Sequence, residues 1–106
     1  EDFDAFYHNL LTDAEIYKDK KGIKVKDGQP MNFFCISCVP WLDYAAYCPV
    51  NYGGSPNLFP LITFGKYTDE KGKFTVPFTL TISHACMDGY HLSKFFNTLQ
   101  DKLNQF

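Results

Sequence analysis

The sequence lacks arginine, a marked excess of either charge and any long apolar run, and these absences exclude several classes of protein. Its ten basic residues are all lysines, and against twelve acidic residues they leave a formal charge of −2. So small a charge cannot build the broad positive field that nucleic acid or anionic lipid requires. No apolar run approaches a bilayer span, and the first residues are acidic where a secretory signal is basic. These features predict a cytoplasmic protein with no nucleic-acid or membrane partner.

The composition that remains is that of a small folded domain. Of the 106 residues 45% are hydrophobic, which is enough for residues 1–106 to form one domain with a single core. Aromatic residues reach 18%, which indicates a large flat core or surface that a missing partner covers. The four cysteines are expected to be reduced thiols, since nothing marks the chain as secreted.

Apolar residues at helical spacing predict two helices. The first covers Asp2 to Tyr17, and the second begins at Asp88, which is a suitable N-cap. Residues 18–30 between the first helix and the first strand are polar and lysine-rich, which predicts a loop with at most one short strand.

The middle of the chain predicts strands. Residues 31–39 form an apolar run between prolines, which favours a strand buried on both faces, and a second strand-like run continues to Tyr47. Residues 61–68 and 73–83 flank a glycine-containing turn and predict an antiparallel hairpin. Pro77 lies inside the second of these runs, so we expect an edge position or a bulge there.

The segment ISHACMDG, residues 82–89, is the best candidate for function because it joins the hairpin to the last helix. A histidine at a strand end can be held at a fixed angle toward a cleft, as a general base requires, which makes His84 the candidate base. We expect Gly89 to allow a sharp turn and Asp88 to cap the helix. The alternative is that His84 is a half-buried structural histidine beside an ordinary cap and turn.

Three segments resemble the C-terminal half of the chloramphenicol acetyltransferase family, in matching order. They are FFCISCVPW (33–41), FPLITFGKY (59–67) and VPFTLTISHACMDGYHLSKFFNTLQ (76–100). The resemblance implies a two-layer α/β sandwich, a mixed sheet with helices on one face, of which residues 1–106 form one partial domain. It also implies a homotrimer with active sites at the subunit interfaces, a missing N-terminal half as a further partner, and a role in antibiotic resistance.

The resemblance implies a role for each matching residue. His84 would take the proton from a small acceptor's hydroxyl, which then attacks acetyl-CoA as co-substrate, with no metal. Asp88 and Gly89 would support the motif, Asp88 through an arginine of the N-terminal half. Two further residues would serve the acceptor side, where Thr63 binds a water near the tetrahedral intermediate and Leu61 lines the pocket.

On the coenzyme A side, the resemblance places Lys66 and Tyr67 near the co-substrate. The alternative for these two residues, as for Thr63 and Leu61, is that they are ordinary strand residues.

Two departures from the family pattern affect the expected activity. Alignment on Pro40 and Trp41 puts Ala46 where the family has a serine that donates to the oxyanion. Loss of such a donor typically costs about 2.7 to 4 kcal/mol of transition-state stabilisation unless Tyr44 or another group replaces it. Ser83 stands where the family often has a second histidine, which leaves the identity of the acceptor open.

Three other readings compete. The fold could survive without catalysis, as a homologue that binds coenzyme A or another ligand. Cys35 and Cys38 form a CxxC that could hold zinc together with Cys48, His84 or Cys86, although an apolar strand points such thiols to opposite faces. The core of a 2-oxo acid dehydrogenase acyltransferase shares the HxxxDG pattern, but the sequence shows no lipoyl domain.

Overall fold

A computed structural model of the protein describes residues 2–22, 25–50, 52–53 and 58–105. The chain forms two compact units, one up to Met31 and one from Asn32 onward. The assignment of residues 1–106 to one domain remains a prediction. No helix among the described residues is long and apolar enough to cross a membrane.

The first unit is built on one helix, α1 (Phe3–Tyr17), which confirms the predicted helix. Asp2 caps it, with its Oδ1 accepting a hydrogen bond from the Ala5 amide at 2.8 Å. After the helix, Lys26 Nζ lies 2.6 Å from Asp13 Oδ2, and this hydrogen bond raises the pKa of Lys26. The described part of residues 18–30 contains no strand.

The second unit contains five short strands and one helix. The strands are β1 (Cys35–Cys38), β2 (Leu61–Phe64), β3 (Thr68–Glu70), β4 (Lys73–Thr75) and β5 (Phe78–Thr81). One sheet has the order β1-β2-β5, with β1 parallel and β5 antiparallel to β2. The strands β3 and β4 pair antiparallel in a second, two-stranded sheet. The predicted hairpin is therefore confirmed, but each of its arms is interrupted.

The interruption lies at Pro77, as the missing N–H of proline requires. Here the Gly65 amide donates to the Pro77 carbonyl at 3.0 Å, and the next amide, of Lys66, donates to the Leu42 carbonyl at 2.7 Å. A loop carbonyl thus takes the place of a strand partner. The sequence predicted an edge position or a bulge at Pro77 within one strand, and the structure instead has Pro77 between two strands, β4 and β5.

Two predictions for residues 31–47 are wrong. The first strand covers only Cys35–Cys38, and its faces are not both buried, since Ile36 is 60% exposed. It pairs only with β2, so one edge and much of its surface have no covering element among the described residues. No strand forms between Trp41 and Tyr47, because this segment turns at Pro40 and uses its polar groups to hold the hairpin.

The last helix, α2 (Gly89–Leu103), covers one face of the sheet through aromatic side chains. The ring centroids of Phe95 and Phe96 lie 6.2 and 6.0 Å from that of Phe78 on β5. A helix laid on a mixed sheet confirms the predicted α/β layers. Among the described residues no apolar side chain is fully buried, whereas the hydroxyl residue Thr63 is 1% exposed.

Candidate functional site

His84 lies on a short turn that follows β5. The Ser83 carbonyl accepts hydrogen bonds from the amides of Cys86 and Met87 at 2.9 and 3.3 Å, and the Ser83 Oγ accepts one from the Ala85 amide at 3.3 Å. These bonds fix the backbone on the C-terminal side of His84. The ring is therefore positioned by a turn, not by the strand end that the sequence predicted.

The exposed His84 ring borders a pocket of about 230 Å³. Leu80, Ile82, Met87 and Leu92 form its apolar wall, and Asp88 adds a carboxylate. No described residue forms a hydrogen bond with the His84 imidazole, so both ring nitrogens can accept a partner from outside this part of the chain. The ring is therefore accessible to a substrate, as the ring of a general base must be.

Asp88 caps α2, which confirms the prediction for this residue. Its Oδ1 accepts a hydrogen bond from the His91 amide at 3.0 Å. This bond satisfies one of the backbone amides that have no partner in the first turn of a helix. The His91 Nδ1 lies 2.6 Å from the same Oδ1 atom. The backbone and side-chain hydrogen bonds from His91 together lower the pKa of Asp88. Within the described chain, the partner of this carboxylate is thus a histidine and not an arginine.

Gly89 does not make the sharp turn that the sequence suggested. It is the first residue of α2, it has no positive φ, and an added Cβ would meet nothing within 4 Å. Gly89 also lines the His84 pocket. Because Gly89 has no side chain, it leaves space beside His84. The role of Gly89 in supporting the motif remains a prediction.

The sheet carries a row of hydroxyl residues across its three strands. Ser37 on β1, Thr63 on β2 and Thr79 on β5 are in register, so their side chains share one face. Leu61 lies two residues before Thr63 and hence on that face too. The pocket beside His84 is lined by Leu80, whose side chain points to the opposite face. The described chain therefore does not bring Thr63 and Leu61 together with His84.

Tyr44 is a structural residue that the sequence did not reveal. Its hydroxyl donates to the Thr63 carbonyl at 2.8 Å and accepts from Thr79 Oγ1 at 3.2 Å. A hydroxyl committed in this way cannot replace the donor missing at the exposed Ala46. Ser37 offers an exposed hydroxyl next to Thr63 instead. Ser37 and Thr63 are neighbours through the register of β1 and β2, which cannot be read from the sequence.

Lys66 and Tyr67 connect β2 to β3 and both are exposed. Tyr67 is 66% exposed, and its ring lies 6.1 Å from that of Phe74. A cation and an aromatic face next to each other suit a phosphate and a base. Neither residue borders the His84 pocket.

The cysteines do not form a metal site in the described residues. Cys35, Cys38, Cys48 and Cys86 are free thiols, and no group of three or more His, Cys, Asp or Glu there could hold a metal ion. The zinc reading has no geometric support in this part of the chain.

A helix on a mixed sheet, with a histidine exposed on the turn between them, defines an α/β protein that presents an imidazole at an apolar pocket. The model of the family "Chloramphenicol acetyltransferase" matches residues 1–100. The chain belongs to the chloramphenicol acetyltransferase family.

Curated relatives and a solved structure agree with this assignment. A chloramphenicol acetyltransferase of Clostridium perfringens is 34% identical over 106 residues, which are 100% of this chain and 48% of that protein. One of Staphylococcus aureus is 41% identical over 100 residues, 93% of this chain and 46% of that protein. A solved chloramphenicol acetyltransferase shares the fold with a TM-score of 0.78 at 24% identity, covering 95% of this chain and 50% of its own. The chain spans about half the length of these relatives.

Proposed function

We propose that the protein to which this chain belongs transfers an acetyl group from acetyl-CoA to a hydroxyl of chloramphenicol or a similar small acceptor. The observation that carries the proposal is the exposed His84 at the mouth of an apolar pocket, in a chain whose residues 1–100 match this family. The relatives named above are chloramphenicol acetyltransferases, which supports this acceptor.

In this reaction His84 acts as general base. Its neutral imidazole takes the proton of the acceptor hydroxyl while the oxygen attacks the thioester carbonyl of acetyl-CoA. The tetrahedral intermediate collapses with cleavage of the carbon–sulfur bond, and the proton passes to the departing thiolate of coenzyme A. Imidazole suits this exchange because a ring nitrogen can accept a proton and then donate it.

The oxyanion of the intermediate needs a hydrogen-bond donor, and the chain offers the exposed Ser37 hydroxyl on one face of the sheet. The nearly buried Thr63 beside it is assigned the bound water, and Leu61 on the same face supports the apolar part of the acceptor pocket. The exposed Ala46 side chain has no donor, and Tyr44 is already engaged. We therefore assign the donor role to Ser37 and not to the segment around Ala46.

Coenzyme A is placed beside Lys66 and Tyr67. The lysine ammonium suits a phosphate and the exposed tyrosine ring suits the adenine, while the chemistry itself belongs to the thioester. The side chains of both residues are exposed and so accessible to coenzyme A, while the Lys66 backbone amide bonds the Leu42 carbonyl.

A homotrimer completes this site. His84 and Thr63 lie toward different faces of the sheet, so the two cannot share one acceptor within the described chain. A second surface, from a neighbouring subunit or from the N-terminal half, is therefore needed to place a histidine opposite the face of the sheet that carries Thr63. The many exposed aromatic residues support such an interface. The proposed location of the protein is the cytoplasm.

The test is release of free coenzyme A from acetyl-CoA with chloramphenicol as acceptor, on this chain and on a version that carries its upstream sequence. We expect His84→Ala to lower kcat of the active version by about 10² to 10⁴. His8→Ala is the matched control, because His8 is an exposed histidine of α1 whose Nδ1 bonds only the Asp4 carbonyl, at 2.8 Å.

Equal rates for the wild type and His84→Ala would remove the general-base role. Tight binding of coenzyme A without turnover in the longer version would instead favour a binding protein that has lost catalysis.

A further inference from the structure

His91 holds the Asp88 carboxylate through two donors at once. The backbone amide of His91 lies 3.0 Å from Asp88 Oδ1, and its ring Nδ1 lies 2.6 Å from the same oxygen. One oxygen thus accepts from the first turn of α2 and from a side chain of that turn. The orientation of the carboxylate is fixed more strongly than by a simple N-cap.

The chemistry of this contact assigns the protons. The Asp88 pKa is lowered by the His91 hydrogen bonds, so at neutral pH the group is a carboxylate that can only accept. The ring nitrogen 2.6 Å away must therefore carry hydrogen. His91 in its neutral form is then the Nδ1–H tautomer, and its Nε2 is unprotonated.

The same two residues connect two concave surfaces. Asp88 lines the pocket beside His84, whereas His91 lines a second groove of about 500 Å³ that follows α2 from Met87 to Lys102. The Tyr90 ring stands edge-on to the His91 ring, with centroids 5.4 Å apart. Asp88 and Lys94 are the charged groups nearest to His91 along the helix.

We propose that His91 is a positioning residue for acetyl transfer: its Nδ1–H fixes the Asp88 carboxylate, and thereby the turn of residues 83–88 that presents His84. This role rests on the proposed function. Asp88 has extended backbone, with φ −96° and ψ 178°, so the two His91 bonds hold the residue at which the turn ends and α2 begins. Without the His91 ring donor, Asp88 loses the hydrogen bond from Nδ1 but keeps the one from the His91 backbone amide.

The first experiment reads the tautomer directly, without any acetyl transfer. At a pH where the His91 ring is neutral, ring nitrogen NMR of the protein is expected to show it with a protonated Nδ1 and an unprotonated Nε2. Asp88→Ala is expected to abolish that preference. A neutral His91 protonated at Nε2 in the wild type, or no change in Asp88→Ala, would overturn the proposal even if the enzyme is active.

The second experiment uses variants that differ in where they place an N–H. Asn at position 91 puts its amide nitrogen near the place of Nδ1, whereas Gln puts it about one methylene farther out. In the active version we expect His91→Asn to keep kcat within about threefold of the wild type. His91→Gln and His91→Ala should lower kcat by about tenfold or more, with little change in the KM for acetyl-CoA.

These outcomes separate the two proposals. Equal kcat for the Asn and Gln variants, alongside a large loss in His84→Ala, would reject the role of His91 and leave the acetyl-transfer proposal intact. No loss in His84→Ala would reject the acetyl-transfer proposal, and with it the positioning role. Circular dichroism of each variant shows whether α2 is retained.

Discussion

Gly65 lies where three groups converge on the end of β2. A Cβ built on it would overlap the Leu42 carbonyl oxygen and would lie 2.8 Å from Pro77 Cγ and 2.9 Å from Tyr44 Cε1. The carbonyl oxygen cannot move away, because it accepts the hydrogen bond of the next amide. The constraint at this glycine is space and not a positive φ.

We expect Gly65→Ala to lower the free energy of unfolding by about 1 to 3 kcal/mol, since overpacking displaces the backbone. Gly89→Ala is the matched control for stability, because its Cβ would meet nothing within 4 Å and alanine favours a helix. Urea denaturation followed by circular dichroism compares the two. Equal stability of Gly65→Ala and the wild type would contradict the close approach of the loop.

The Asp88 carboxylate makes part of the stability depend on pH. Its pKa is lowered in the folded state by His91, so its contribution is present above the unfolded pKa of about 3.9 and is lost as the pH falls through the folded value. We expect Asp88→Asn to be less stable than the wild type at pH 6 and the gap to close below about pH 4. Asp101→Asn, on the exposed side of α2, removes the same charge as a control. Thermal unfolding over pH 3 to 6 measures the difference.

The residues with a role were only partly predictable from the sequence. The sequence correctly predicted Asp88 as a helix cap, but it placed His84 at the end of a strand, where the structure has a turn. The partner of Asp88 is His91, only three residues farther along the sequence. The sequence could not identify it, because a histidine side chain in the first turn of a helix has many possible orientations. The convergence of Leu42 and Tyr44 on Gly65 depends on contacts between distant segments, which no local pattern records.

At the scale of elements, the helices were easier to predict than the strands. Both helices follow their apolar spacing and begin after an aspartate cap, Asp2 and Asp88, because helical contacts are local. Strands depend on neighbours, and the run of residues 41–47 has none to pair with. It became a loop whose Tyr44 hydroxyl holds two strands, a role that its apolar pattern could not indicate.

The Tyr44 hydroxyl joins this loop to β2 and β5, and its removal tests how much the joint contributes. We expect Tyr44→Phe to lower the free energy of unfolding by about 1 to 2 kcal/mol, because the half-buried Thr79 hydroxyl and the Thr63 carbonyl lose a partner. Tyr52→Phe is the control, since that side chain is 98% exposed. Chemical denaturation of both variants gives the comparison. Two variants of equal stability would show that the joint is unimportant.

The whole chain exposes apolar side chains that a folded protein normally covers. Trp41 is 82% exposed, and large apolar residues on α1, β1 and the loops are exposed with it. Such surface marks an interface or an aggregation site. The exposure of Ile36 is why the prediction of a strand buried on both faces was wrong, while the partner surface that the high aromatic content indicated stays a prediction.

We expect the 106 residues alone to bind a hydrophobic dye strongly and to self-associate, and the version with upstream sequence to bind much less dye. Dye fluorescence and analytical ultracentrifugation measure the two effects. Trp41 fluorescence provides an internal check, because the covered indole emits at shorter wavelength. A monodisperse chain that binds no dye would mean that this surface needs no partner.

The central strand of the mixed sheet has a consequence for how the molecule opens. Among the described strands, β2 alone has a neighbour on both sides, and it contains the most enclosed of the described side chains, Thr63. Opening that starts at one outer strand frees only the β2 amides that bond to that strand, and the amides that bond to the other neighbour stay paired. Hydrogen–deuterium exchange should therefore reach Leu61–Phe64 last, after the solvent-facing amides of β1 and β5 have already exchanged.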